Sequence, residues 1–168
     1  MKQHPQFKHL YLADNYILGE IFKIKGVHQF IMRNAITGEI VSDNTYHNLI
    51  PTVFRTMIAA RLAGGTDDTD IAYGALATGA GTPAIGDTTL STELVRKVFA
   101  TISSSGAVVT ASTFFGASEG NGTLTQFGTF GNGATGAADS GTLCNIVAIS
   151  EVKTSSETLS VESTFTVT

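Results

Sequence analysis

A glycine-rich stretch at residues 79–88 contains the residue types that hold phosphate groups in nucleotide-binding loops. Its sequence, GAGTPAIGDT, is close to two patterns. One is G-x-x-x-x-G-K followed by Ser or Thr, and the other is G-x-G-x-x-G, in which alanine can replace the last glycine. The first pattern needs a lysine that reaches the phosphate oxygens, and the second needs an acidic residue about 20 positions later. Asp87 occupies the lysine position, Pro83 removes one backbone donor, and residues 98–103 contain no acid. We therefore predict a tight glycine turn and no bound cofactor.

A second motif, G-x-S-x-G, places Ser118 between Gly116 and Gly120, as in the nucleophile turn of serine hydrolases. That turn joins a strand to a helix, and the histidine of the triad follows the serine along the chain. Asn121 and Gly122 come next here, and they do not favour the start of a helix. The four histidines all precede the serine: His4, His9, His28 and His47. We therefore predict a β-turn at this motif, structural roles for the histidines, and no enzyme activity.

The remaining reactive side chains have structural explanations that we prefer. Asp67, Asp68 and Asp70 offer carboxylates to a hard cation, but the twelve-residue loop that ends in a distal Glu is missing, so we predict a solvated turn and no metal. The single cysteine, Cys144, excludes an intrachain disulfide and a cysteine-based zinc site. Its apolar neighbours predict a buried thiol. The catalytic, cofactor and metal sites are thus all predicted to be absent.

Arg96 and Lys97 are adjacent in an apolar run. On a strand their side chains point to opposite faces, because successive residues alternate. We predict that one of the two forms a buried or inter-subunit ion pair with Glu93 or Asp87.

The composition is that of a chain with few charges and many small residues. Charged residues make up 14% of the 168 residues, compared with about 25% in an average soluble domain. Residues 1–61 carry seven basic residues and four acidic ones, whereas residues 62–168 carry three basic and ten acidic ones. Phosphate neutralisation needs clustered bases, so we predict no nucleic-acid partner. A surface with little charge predicts partial coverage by other chains.

Apolar runs are short in this chain. No run reaches 18 apolar residues, and no apolar segment follows Lys2 and Lys8 near the first residue. We therefore expect neither a membrane span nor a signal peptide. The chain is expected to be made in a cytoplasm and then to stay there or to join a particle.

The elements that would position these residues are mostly strands. Residues 1–15 show no periodicity and are predicted to form an extended N-terminal arm that becomes ordered on a partner. Residues 16–50 predict a β-meander of strands at YILGEIFKIK and VHQFIMRN, a glycine turn and a returning strand, EIVSD. An apolar stripe at helical spacing predicts one helix over residues 51–63. Pro51 suits its first turn, and Gly64 its left-handed end.

Residues 71–168 consist of strand-like runs separated by glycine turns. The runs are IAYGALA, LVRKVFATI, AVVTASTFF, GTLTQFGTF, TLCNIVAISEV and a final alternating segment. Short strands at this spacing predict a mainly β fold, either an antiparallel β-sandwich or a partly open barrel, with the helix packed on the sheet. We expect a single β-rich domain over residues 16–168, and we expect the glycine-rich loop at residues 131–141 to become ordered only on assembly.

Two segments resemble the attachment regions of the phage tail-collar fibre family, and the likeness covers about residues 45–168. They are IAYGALATGAGTPAIGDTTLSTELVRK and FGASEGNGTLTQFGTF. The matching positions are Gly79, Gly81, Pro83, Asp87, Leu90, Glu93 and Arg96 in the first segment, and Gly120, Gly122, Leu124, Phe127, Gly128 and Phe130 in the second.

The resemblance implies a bacteriophage virion structural protein, an adaptor or hub of the tail, the baseplate or the fibre-attachment apparatus rather than a whole receptor-binding fibre. Its partners would be copies of itself, as a trimer or hexamer, and other virion proteins. A head decoration or collar protein is an alternative. A carbohydrate-binding β-sandwich is another, although the chain has no Trp to stack on a sugar.

Overall fold

The computed structural model describes residues 23–168. The predicted arm at residues 1–15, with His4 and His9, lies outside the described residues. The described part contains one helix, α1 (Thr52–Leu62), and nine strands. The strands are β1 (Ile24–Asn34), β2 (Ile40–His47), β3 (Ile71–Ala77), β4 (Glu93–Val98), β5 (Thr101–Ser105), β6 (Val108–Phe115), β7 (Gly122–Gly131), β8 (Thr142–Lys153) and β9 (Glu157–Val167).

The nine described strands form two antiparallel sheets. The five-stranded sheet has the order β2, β1, β9, β6, β5, and the four-stranded sheet has the order β4, β3, β7, β8. Their inner faces enclose the core, whose fully buried aromatic side chains include Phe30, Phe115 and Phe127. Phe130 is also fully buried, but it belongs to a second cluster with Ala75, Leu143 and Ile146 on the other face of the four-stranded sheet. The predicted antiparallel β-sandwich is therefore confirmed, and the described strands do not close into a barrel.

Strand β9 shows how the sequence pattern builds this core. Leu159, Val161 and Phe165 point inward, as their alternation predicts, and each is at most 8% exposed. The strand lies between β1 and β6, so its backbone groups are paired on both sides. Ser163 is the exception to the apolar face, since its hydroxyl is buried at 1% exposure.

The helix α1 packs on β8 at one end of the sandwich. Phe54 and Met57 are buried there. Burial of such side chains stabilises a fold by about 1.5–3 kcal/mol each. Pro51 lies just before the helix as its N-cap, with extended backbone, and not in the first turn. Gly64 takes the predicted left-handed conformation beyond the last turn, with φ of 89°. Leu62, at the end of the predicted apolar stripe, remains 82% exposed.

The predicted strand LVRKVFATI is in fact two strands in different sheets. Residues up to Val98 form β4 in the four-stranded sheet, and residues from Thr101 form β5 in the five-stranded sheet. Phe99 and Ala100 cross between the sheets. Phe99 is buried, and its N–H donates to the Ala72 carbonyl at 3.0 Å. The Ala100 N–H donates to the Ser112 carbonyl at 2.8 Å. Continuous apolar character hid the break, because both halves are strands.

The described part of the meander also differs from the prediction in one place. Strand β1 is a single strand that runs through Gly26, where the sequence suggested a break between two runs. The side chain of Asn48 packs against Gly26, and its Oδ1 accepts a hydrogen bond from the Gly26 N–H at 2.8 Å. A Cβ atom at this position would overlap the Asn48 amide. The glycine therefore makes room for a neighbour without ending the strand.

Candidate interaction surfaces

The glycine-rich loop between β3 and β4 is held by polar contacts within the chain. The Asp87 carboxylate accepts a hydrogen bond from the Ala84 N–H at 2.8 Å and closes the turn. Gln126 on β7 accepts from the Ser91 N–H at 2.8 Å and donates to the Gly81 carbonyl at 3.1 Å. The acidic side chain thus shapes the turn at the position where a phosphate-binding loop would carry its lysine.

The turn that contains Ser118 is held by a buried lysine of β8. Lys153 is 1% exposed, and its Nζ donates to the Gly116 carbonyl at 2.8 Å, the Asn121 Oδ1 at 2.8 Å and the Ala117 carbonyl at 3.3 Å. Such a set of acceptors offsets the cost of burying an ammonium group. Ser118 is exposed in the turn, and the motif's residues serve to cap the lysine.

Arg96 and Lys97 point to opposite faces of β4, as predicted. Arg96 forms the predicted buried ion pair with Glu93: two N···O contacts of 2.6 Å join side chains that are each 2% exposed. Lys97 pairs instead with Glu119 at 2.7 Å, and these side chains are 37% and 35% exposed. Lys97 and the Gly116 N–H hold the pKa of Glu119 below its ordinary value.

Arg96 also fixes the glycine-rich loop that follows β7. Its guanidinium donates to the carbonyls of Thr135 (3.2 Å) and Ser140 (2.9 Å) and lies 4.3 Å from the centre of the Phe130 ring. These contacts hold residues 131–141 within a single chain. The loop therefore has partners within its own chain, and its ordering on assembly stays a prediction.

The acidic turn before β3 and the cysteine both lie near α1. Among residues 23–168, no three His, Cys, Asp or Glu side chains come together as metal ligands. Partial burial and the neighbouring Asp68 raise the pKa of Asp70. Cys144 is 1% exposed, as predicted, and burial raises its pKa to about 12. Its thiol is thus protonated near neutral pH, the form that is a poor nucleophile.

His28 lies between the sheets in a buried polar cluster. Its Nδ1 is 2.8 Å from the Ser163 hydroxyl, and its ring makes edge-to-face contacts with Phe127 and Phe165 at centroid distances of 5.1 and 5.6 Å. Burial lowers the pKa of His28 to about 4. A hydrogen bond with the Asn145 side chain raises this pKa, but by less than burial lowers it. The imidazole is therefore neutral in the folded chain at neutral pH, in agreement with a structural role.

Acid should destabilise the fold through His28. The unfolded chain binds a proton below the ordinary pKa of 6.5, whereas the folded chain resists protonation until about pH 4. Stability is therefore complete above pH 6.5 and is lost as the pH falls toward 4, by about 3 kcal/mol in total. We expect the free energy of unfolding of His28→Gln, measured by urea denaturation, to fall much less between about pH 7 and about pH 4.5 than that of the unmodified chain. The exposed His47→Gln control should retain the loss, and equal pH dependence in the two variants would contradict the assignment.

An open groove runs along α1 and the first residues of β1, and its apolar side chains are bordered by Lys23, Lys25 and Arg55. It consists of two adjoining cavities of about 560 and 520 Å³ that share Ile24, Ile50 and Ile58. The first cavity continues to Leu62, which is 82% exposed, and the second continues along the inner face of β5 and β6 to Ile102. Contiguous apolar surface of this kind is characteristic of sites for protein partners.

Strand β5 is the second uncovered surface. It forms one edge of the five-stranded sheet, and all five of its residues are exposed. Exposed apolar side chains lie on β5 and close to it. Ile102 on β5 is 50% exposed, Val98 at the end of the preceding strand β4 is 61% exposed, and Phe114 on the adjacent strand β6 is 50% exposed. An open edge presents unpaired backbone donors and acceptors, which bind another strand.

No family model, curated protein or solved structure matches this chain. Among the residues that the structure describes, no helix has the length and apolar character needed to cross a membrane. Sequence reasoning did not identify the roles of Gln126, Lys153 or the β5 edge. A signal for Lys153 existed, because the inward alternation set by Val147 and Ile149 continues to position 153.

Proposed function

We propose that this chain is a bacteriophage virion structural protein, an adaptor or hub of the tail, baseplate or fibre-attachment apparatus. The observation that carries the proposal is the groove along α1, which no described residue covers and which continues, with apolar side chains along its length, to the open edge of β5. Such surfaces bind other protein chains. The resemblance over residues 45–168 supplies the kind of particle.

The placement of the charged side chains supports a structural role. Arg96 and Glu93 hold the loop after β7, Lys153 holds the turn before β7, and Asp87 closes the loop before β4. Each of these groups serves the scaffold, in the loops where the sequence patterns suggested chemistry. Exposed apolar side chains such as Ile102, Phe114 and Val152 remain on the outer surface, and their burial against a neighbouring chain would be favourable.

The proposed partners are copies of this chain and other virion proteins, in a trimer or hexamer as the resemblance implies. Subunits of a closed ring bury one surface patch against another on each neighbour. The groove and the β5 edge adjoin at residues 102–104, so together they form one continuous surface for neighbouring chains. The proposed location is the virion, with synthesis in the host cytoplasm.

Virion incorporation tests the proposal. We expect gold-labelled antibody against this chain to bind purified particles at one fixed position, visible by electron microscopy. Leu62→Asp should reduce the amount of the chain per particle roughly tenfold, because it removes the exposed apolar side chain at one end of the groove. Ile36→Asp is the control, since Ile36 is 95% exposed in the turn after β1 and outside the groove. Particles that lack the chain would refute the proposal.

A further inference from the structure

We propose that β5 is a self-association edge, at which the β5 strands of two copies pair antiparallel across a twofold axis. The pairing would join two five-stranded sheets into one continuous sheet. This inference rests on the proposed function, in which the chain acts through contacts between subunits, and it names the surface and the partner for one such contact.

The four sheet edges of the described chain differ in charge. The edge strand β2 carries Asp43, the edge strand β4 carries Glu93, Arg96 and Lys97, and the edge strand β8 carries Glu151 and Lys153. Strand β5, with the sequence TISSS, carries no charged residue and no proline. Charges and prolines are the devices that keep sheet edges apart, and β5 has neither.

The edges differ in backbone geometry as well. The pairing of each of the other three edge strands with its neighbour contains a register shift: β2 with β1, β4 with β3, and β8 with β7. Such irregularities twist an edge away from further pairing. The pairing of β5 with β6 is regular over all five positions. Strand β5 is therefore the one described edge that presents a straight, regular backbone.

The partner that these features favour is a second copy. A twofold axis at Ser103 places this residue opposite itself and places Thr101 opposite Ser105. A charge at the axis would face the same charge on the partner strand, which destabilises the pair. An edge without charge avoids this cost. The pairing also continues the inner face across the axis, where Ile102, half-exposed in a single chain, lies opposite Ser104 of the second copy.

Two side-chain contacts prepare the outer face of β5 for pairing. The Thr101 hydroxyl is 2.8 Å from the Ser112 hydroxyl, and the Ser103 hydroxyl is 2.9 Å from that of Thr110. These contacts hold the hydroxyls over β6 and leave the edge free of long side chains. A twofold contact assembles an even number of copies, so it favours a hexamer over a trimer.

A charge exchange at Ser103 tests the pairing in the full chain. We expect sedimentation velocity to show association of the unmodified protein, and Ser103→Lys and Ser103→Glu each to weaken it roughly tenfold by like-charge repulsion. A mixture of the two variants should recover association as a 1:1 pair, because opposite charges then meet. The same exchange at Thr110, one strand away from the edge, is the control and should leave association unchanged. Circular dichroism establishes that all variants are folded.

Disulfide capture tests the register. Two Ser103→Cys chains should crosslink on oxidation, because directly opposite residues approach within disulfide range. Thr110→Cys should not crosslink, because two β6 strands would lie about 14 Å apart, three strand spacings. The native Cys144 is buried and should not interfere.

Three outcomes would overturn the inference. They are an unmodified chain that stays monomeric at all concentrations, charge variants that associate as the unmodified chain does, and charge variants that both fail to associate without recovery on mixing. The third outcome would indicate pairing of β5 with another edge, such as β2 of the next copy. Antibody labelling of virions is independent of all three, so the inference can fail while the proposed function stands.

Discussion

Replacement of Arg96 by methionine should lower the free energy of unfolding by about 3–5 kcal/mol. The guanidinium neutralises Glu93, whose side chain is 2% exposed, and methionine would leave that carboxylate without its cation in the interior. Methionine would also remove the hydrogen bonds to Thr135 and Ser140. We expect the loss in urea denaturation followed by circular dichroism, together with faster hydrogen exchange in residues 131–141.

The neighbouring Lys97 gives a matched control. Lys97→Met breaks an ion pair of similar length, 2.7 Å. The side chains of Lys97 and Glu119 are 37% and 35% exposed, so both are already hydrated. This variant should lose less than about 1 kcal/mol. The double variant Glu93→Gln with Arg96→Met should recover part of the loss, because no buried charge remains. Equal losses for Arg96→Met and Lys97→Met would contradict the buried pair.

Replacement of Phe127 by alanine should lower the free energy of unfolding by about 3–5 kcal/mol. Phe127 is 0% exposed at the centre of the sandwich, where its ring contacts Phe30 at 5.4 Å and His28 at 5.1 Å between centroids. Both neighbours lie on β1 in the opposite sheet, so the ring holds the two sheets together. Alanine would leave a cavity that the surrounding strands cannot fill without separating from their partners.

Phe114→Ala is the control for this prediction. Phe114 is the same residue type in a strand of the same sandwich, but it is 50% exposed. It should lose less than about 1.5 kcal/mol, because much of its ring is already in water. Thermal and urea unfolding of both variants measure the difference. A loss at Phe114 as large as that at Phe127 would show that the outer face of β6 is covered in solution, as an interface would cover it.

The groove and the β5 edge are surfaces where other chains would cover apolar side chains. This suits a protein with so little charge. The groove along α1 and the edge of β5 share Ile102, Ser103 and Ser104, which belong to the strand and line one of the two cavities. A second copy on β5 would therefore also narrow the mouth of the groove. Variants at Leu62 address the helix end of the groove, whereas variants at Ser103 address the β5 edge together with the adjoining cavity that Ser103 lines.

The sequence determined the features that depend on near neighbours along the chain. Alternation placed Leu159 and Val161 on the inner face of β9, and helical spacing placed Phe54 and Met57 under α1. The pair of Glu93 and Arg96 was among the ion pairs that the sequence left open, although strict alternation would place residues three positions apart on opposite faces of a strand. Periodicity is a local property, and local geometry is enough to predict it.

Only the tertiary structure decided which distant residues meet and which strands form edges. His28 and Ser163 are 135 residues apart, and Lys153 reaches a carbonyl 37 residues away. The crossing at Phe99 and Ala100 separates two strands that one apolar run had joined, and it makes β5 an edge of the other sheet. Sheet order follows from backbone pairing between strands far apart in the chain, and side-chain periodicity specifies the face of a strand but not its neighbour.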